Sequence, residues 1–303
     1  MTLYVSNEPT PERTAHPAEP AASAAPAAPR TARQPSATAP DASRARPRPT
    51  NTTAKARPER AIGRFKDPSL RRSVALFRAF MNEQQDPQHC YTLLAQDAAD
   101  QVERHEPLAG KTVVDIGGGG GYFTEEFRRR GAQSYLFEPD VQELGSGPGT
   151  GAVLADGYLL PLADGVADVS FSSNVLEHVD DPQTFLSEMV RVTRPGGLIY
   201  VSFTNWYSPW GGHEWAPWHY LGADRAVARY QRRTGRPAKH TLGENLHAIH
   251  IGPTLRQVRS RDDVTVVSAR SRYWPFLASA VTKVPGLREF ATWNLLLILR
   301  RCP

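Results

Sequence analysis

The sequence predicts an α/β fold, a mostly parallel sheet with helices on both faces, and three observations carry that prediction. From residue 111 onward, short Val/Ile/Leu-rich runs alternate with stretches of helical periodicity. The first run ends in five consecutive glycines, Gly117 to Gly121, that open into a helix. Such strand–helix junctions are where open α/β sheets meet their ligands. The second run ends in an acidic residue, Glu138, 17 positions beyond the last of those glycines.

Two helices are expected ahead of the sheet. Over 69–84 the residues Leu70, Val74, Phe77, Phe80 and Met81 recur at helical spacing. Beyond Pro87 a second helix covers 88–104, with Tyr91, Leu94, Ala95 and Ala98 on one face. Both stripes are expected to pack as core, in a position that also suits covering a pocket. Residues 111–116 form the first strand and 122–130 a helix closed by Arg128-Arg129-Arg130 before Gly131. Strands follow over 132–137, 153–155 and 166–172, then a helix over 179–193. The turn Pro195-Gly196-Gly197 leads into a fifth strand over 198–203. Residues 205–260, rich in Trp, His, Gly and Arg, give no clear strand and read as an insert. The last two strands are 263–270 and 292–299, separated by an aromatic and apolar stretch.

The 303 residues are 40% hydrophobic, enough for a sizeable core, but unevenly so. Residues 1–60 hold 15 alanines and 11 prolines. Such a segment buries too little surface to offset the entropy of ordering it, and a disordered tail is expected there. The same segment carries +4 of the net +5, so the domain expected over 61–303 is nearly neutral. That counts against a dedicated nucleic-acid-binding domain, and no specific nucleic-acid partner is expected. The tail's Arg-Pro clusters read as a solvated leader, with a weak electrostatic tether as the alternative. Two distant cysteines, Cys90 and Cys302, exclude a cysteine zinc cluster and fit a reducing cytoplasm. Neither a secretory signal nor a membrane span is expected.

The glycine turn alone fits several nucleotide cofactors. A dinucleotide fold requires G-x-G-x-x-G, and both frames fail, because Tyr122 and Phe123 stand where the third glycine belongs. Asp115, just before the turn, would repel a pyrophosphate but attract a cofactor with ammonium and sulfonium centres. Glu138 stands where ribose hydroxyls need an acceptor. Asp156-Gly157, followed by Leu159-Leu160-Pro161-Leu162, offers a polar partner and an apolar slot for adenine.

These segments resemble the motifs of class I S-adenosylmethionine-dependent methyltransferases, type 11. Val113-Val114-Asp115-Ile116-Gly117-Gly118-Gly119-Gly120-Gly121 is similar to the first motif and Leu136-Phe137-Glu138-Pro139-Asp140 to the ribose segment. Ala155-Asp156-Gly157-Tyr158-Leu159-Leu160-Pro161-Leu162 is similar to the adenine loop, and Ser173-Asn174-Val175-Leu176-Glu177-His178-Val179 to the segment after the fourth strand. Arg194-Pro195-Gly196-Gly197-Leu198 completes the set. The resemblance covers 108–204 strongly and 260–300 loosely. It implies a Rossmann-like seven-stranded sheet in order 3-2-1-4-5-7-6 with strand 7 antiparallel, and S-adenosyl-L-methionine as cofactor. It places Asp115 near the methionine ammonium, and Gly117, Gly119 and Gly121 behind the cofactor. Glu138 falls on the ribose hydroxyls, Asp156 with Gly157 at the adenine, and Asn174 beside the methyl-transfer site. Trp206–Tyr220 also resembles a bacterial subgroup with no assigned substrate.

The acceptor is less legible. The segment after the fourth strand lacks the Asn/Asp-Pro-Pro-Tyr of base-methylating enzymes, and the aromatic stretch 205–220 is the expected substrate wall. His213 or His219 is the candidate general base, with Glu214 orienting one of them. The alternative is an aromatic mini-core that pins a long loop. A metal held by His213, Glu214 and His219 lacks a spacing signature, and no metal is expected. His178 is a weak catalytic candidate, and His240, His247 and His250 are unassigned. The stretch 273–290, with Lys283 and Arg288, is expected to pack on the sheet edge; covering a lipid-like substrate or touching a membrane is the alternative. The leading expectation is a cytoplasmic enzyme, with peripheral membrane contact as a variant, methylating a small-molecule or lipid-linked metabolite. A catalytically inactive cofactor-binding scaffold and an RNA methyltransferase are the alternatives.

Overall fold

A computed structural model of the chain describes residues 69–145, 147 and 151–303; the tail expected over 1–60 lies outside them. Caps set the first boundaries. Helix α1 (Leu70–Met81) begins where the Ser69 side chain accepts from Arg72 N, and α2 (Pro87–Glu103) where Asp86 caps and Pro87 fills the first position. Strand β1 (Thr112–Ile116) then delivers the chain to the glycine turn and α3 (Tyr122–Arg129). Next come β2 (Gln133–Glu138), β3 (Val153–Leu154), β4 (Ala167–Ser173), α4 (Pro182–Val192) and β5 (Thr193–Thr204). The chain finishes with α5 (Ala223–Thr234), α6 (Ile251–Arg259), β6 (Val264–Ser271), α7 (Leu287–Ala291) and β7 (Asn294–Arg301).

The seven strands pair in the order β3-β2-β1-β4-β5-β7-β6, parallel except for β7, which is antiparallel to both neighbours. Alternation along β7 divides the core into two layers. Leu295, Leu297 and Leu299 face α4 and α6, packing with Met189, Ile251 and Leu255. Leu296 and Ile298 face α2 and α3, packing with Leu94, Ala98 and Phe127. Arg194–Gly197 forms a bulge on β5, because pairing steps from Ala167–Thr193 to Val169–Leu198.

Two expectations change. The stripe on α1 is not plain core: Leu70, Val74, Phe77 and Met81 are exposed, while Arg72, Leu76 and Ala79 face inward. Arg72 is buried because its guanidinium meets the Asp97 carboxylate on α2. The 205–260 insert, as expected, contains no strand of the sheet among the described residues; it holds α5 and α6. Helix α5 fully buries only Ala226, with Ala223, Val227 and Tyr230 packed beside it on the same face, so its stripe is short and holds few large side chains. The helix expected from 179 starts at Pro182, where the Asp181 side chain accepts from Gln183 N and Thr184 N. Among the described residues no helix is long and apolar enough to cross a membrane.

Candidate active site

The expected cofactor residues converge at the C-terminal edge of the sheet. The turn after β1 needs left-handed backbone at Gly117, Gly119 and Gly121, with φ of 71°, 52° and 79°. A Cβ on Gly117 would lie 2.6 Å from Val175 Cγ2, so the turn is also pressed against the exit of β4. Gly119 N donates to Glu138 Oε2 at 2.9 Å, which ties the turn to the end of β2. Burial raises the Glu138 carboxyl, against the backbone N–H of Gly119 and Asp140 that favour its charge.

Asp115 is fully buried beneath the turn. Thr124 Oγ1 donates to its Oδ2 at 2.7 Å, while Oδ1 has no partner among the described residues. Burial pushes its pKa up to about 7, against the Thr124 hydrogen bond. The site therefore contains a half-satisfied buried carboxylate beside a glycine cradle, an arrangement suited to a cationic ligand group. Asp156 accepts from Tyr158 N at 2.9 Å and is exposed. A Cβ on Gly157 would lie 2.6 Å from Phe185 Cε2, so only glycine lets this loop approach α4 so closely.

Asn174 leaves β4 with φ of 59° and is fully buried. Its Oδ1 accepts from Asn294 Nδ2 at 2.6 Å, linking the exit of β4 to the start of β7. Asn294 and Thr204 in turn line a cavity of about 290 Å3 roofed by α1. Its walls include Val74, Phe77, Phe80, Trp210, Trp274 and Trp293. The indole N–H groups of Trp210 and Trp274 and Asn294 Oδ1 are buried without partners among the described residues.

The expected acid–base set is not a unit. His213 and Glu214 are neighbours on a 3-10 turn, where successive side chains diverge by roughly 120°. Glu214 therefore orients neither His213 nor His219. Its carboxylate accepts from His240 Nδ1 and from the backbone N–H of Lys239 and His240. His219 Nε2 meets Trp206 O at 3.0 Å, and its ring packs against Trp206, Trp215 and Tyr220 within the aromatic mini-core. His213 instead joins His178 and His240. Burial holds His213 well below its ordinary range and brings His178 down to about 3.

Sequence reasoning missed Glu177, His240 and Asn294. Glu177 is fully buried, its Oε1 accepts from Thr204 N at 2.9 Å, and burial pushes its pKa up to about 7. Each of these residues acquires its role from a partner distant in sequence; Glu177 falls within the segment after β4, but nothing local shows that Thr204 N is its partner.

Comparison with known proteins gives the same reading. The profile of the family described as "Methyltransferase domain" matches residues 114–201. An uncharacterized methyltransferase of Mycobacterium ulcerans (strain Agy99) is 44% identical over 244 residues, 76% of this chain and 94% of that protein. One of Mycolicibacterium vanbaalenii is 43% identical over 256 residues, 80% of this chain and 99% of that protein. Among solved structures, an S-adenosylmethionine-dependent methyltransferase from Mesorhizobium loti superposes with a TM-score of 0.45 at 21% identity, covering 66% of this chain and 95% of that one. With Asp115 and the glycine turn inside the matched segment and relatives aligned over nearly their full length, the chain belongs to the class I S-adenosylmethionine-dependent methyltransferases, type 11.

Proposed function

We propose that the chain transfers the methyl group of S-adenosylmethionine to an apolar small-molecule or lipid-linked acceptor held in the cavity beneath α1. The observation that carries this reading is the cavity itself, with aromatic and aliphatic walls broken only by a few polar side chains such as Ser73, Thr204 and Asn294. Such a lining suits a ligand with an apolar body and one polar handle. The exposed stripe Leu70, Val74, Phe77 and Met81 on the roof helix gives an apolar approach, consistent with an acceptor presented at a membrane surface.

In this reading S-adenosylmethionine supplies a sulfonium-activated methyl group for in-line displacement. Asp115 holds the ammonium, Gly117, Gly119 and Gly121 admit the backbone close to the cofactor, Glu138 accepts from the ribose hydroxyls, and Asp156 with Gly157 receives the adenine. Asn174, fixed by Asn294, borders the methyl group between this site and the cavity. The cavity walls exclude water and align the acceptor's nucleophile.

The test uses methyl-labelled S-adenosylmethionine and cell extract. Label that partitions into organic solvent supports the proposal, and label recovered only in RNA or protein contradicts it. Phe77→Asp puts a charge on the cavity wall. It is expected to raise the acceptor KM about 10- to 100-fold, matching the ~1.5–3 kcal/mol of a buried aromatic contact, with cofactor affinity unchanged.

A further inference from the structure

Three histidines outside the cofactor site face one another. His178 lies just beyond β4, His213 in the turn after β5, and His240 in the loop after α5. Their ring centroids are 5.0 Å (His178–His213), 5.4 Å (His178–His240) and 4.7 Å (His213–His240) apart. One ring nitrogen from each lies within 4.8 Å of the others. We propose that His178, His213 and His240 bind a divalent transition-metal ion, zinc by ligand type, and that the ion fastens the insert to the Rossmann core.

Hydrogen bonding already prepares the rings. His178 Nδ1 meets Asn245 O at 2.7 Å, and His213 Nδ1 meets Gly211 O at 3.3 Å. A carbonyl can only accept, so in both rings the proton sits on Nδ1 and the lone pair on Nε2. Both Nε2 atoms are buried and without a hydrogen-bond partner among the described residues. His240 Nδ1 meets the Glu214 carboxylate, the arrangement by which outer-shell acids orient a ligating imidazole and raise its basicity. Without an ion, two buried acceptor nitrogens are left unsatisfied, each a cost that coordination removes.

The surroundings hold this geometry. Asn245 is fixed by Thr241 N donating to its Oδ1 at 2.7 Å and by its own Nδ2 donating to Lys239 O at 2.9 Å. The carbonyl that meets His178 therefore belongs to the same braced loop that carries His240. His213 sits at φ of 49°, an uncommon conformation for a side-chain-bearing residue and one that persists where the surroundings demand it. Zn–N bonds of about 2.0–2.1 Å require the nitrogens to draw in by roughly 1 Å, within reach of small ring rotations. Three imidazoles leave a fourth position for water or a substrate oxygen.

The tag-free full chain tests this by titration with Co2+ and then Zn2+. We expect the ligand-field absorption of four-coordinate cobalt at one ion per chain, displaced by one equivalent of zinc. His213→Ala and His240→Ala should each lower zinc affinity more than about 100-fold in chelator competition, and Glu214→Gln by about 10- to 100-fold. Lack of the cobalt band in wild type would overturn the proposal, as would folded His213→Ala and His240→Ala variants with unchanged affinity. Where a variant fails to fold by circular dichroism, the wild-type titration decides. Methyl transfer is not part of this readout, so its outcome is separable from that of the proposed function.

Discussion

Replacing Asp115 by alanine is expected to lower affinity for S-adenosylmethionine about 30-fold or more, by the ~2–5 kcal/mol typical of truncating one partner of a buried charged contact. Asp115 is the fully buried carboxylate beneath the glycine turn, and one of its oxygens has no partner among the described residues. Its pKa of about 7 adds a pH signature. The ionised form attracts the cofactor's ammonium, so affinity should rise about tenfold per pH unit up to about 7. It should then level off until the cofactor's own α-amine deprotonates near ~8. Stability of the unliganded protein runs the other way. Between about 4 and about 7 the folded state keeps a proton that the unfolded state has released, so stability falls as pH rises through this window. Glu177, also raised to about 7, adds to that slope. Asp115→Asn should therefore bind cofactor poorly yet melt higher than wild type at pH 8. A pH series of melting curves and cofactor titrations checks both signs, and a variant that melts lower would contradict the assignment.

Replacing Arg72 by alanine should give the largest loss of stability. Arg72 and Asp97 are both almost completely buried, and the guanidinium meets both carboxylate oxygens. Gln101 Nε2 donates to the same carboxylate at 2.9 Å, and Tyr200 Oη donates to Gln101 Oε1 at 2.8 Å. Arg72 Nη2 also donates to Arg272 O at 3.0 Å, at the end of β6. Removing the arginine leaves a buried charge unpaired, at a cost of about 3–5 kcal/mol. For a domain of this size that lowers the melting temperature by roughly 6–20 °C. The double variant Arg72→Met/Asp97→Leu, which removes both charges, should recover most of the loss. Because Arg72 anchors the roof of the cavity, acceptor turnover should fall in Arg72→Ala while cofactor affinity stays near wild type. Thermal melts and steady-state kinetics would show whether these effects separate.

What the sequence discloses depends on whether a feature is local. The Leu295–Leu299 run reads as a strand because its residues fill both core layers. The glycine turn, Glu138 and Asp156 are legible because each closes or follows its own strand. Periodicity finds α1 but cannot tell which face is buried, because the inward residues, Arg72, Leu76 and Ala79, include an arginine whose acid lies 25 positions away. Helix α5 carries a stripe at helical spacing, Ala223, Ala226, Val227 and Tyr230, but it is short and set among four arginines, so it stands out little from the insert around it. The His178–His213–His240 group is invisible for the same reason as the Glu214–His240 pair. Its members come from three segments that only the folded chain brings together, and no ligand spacing marks them. Trp210 lies in the stretch expected to be the substrate wall, but no local pattern marks Trp293, or a cavity roof more than a hundred positions earlier, as part of the same wall.

The central claim, an intact S-adenosylmethionine site built on the Asp115–Gly121 turn, is tested most directly by calorimetric titration of the cofactor into the full chain near pH 7.5. The account predicts saturable binding at one site per chain, competed by S-adenosylhomocysteine. The absence of saturable binding by a folded protein would contradict it.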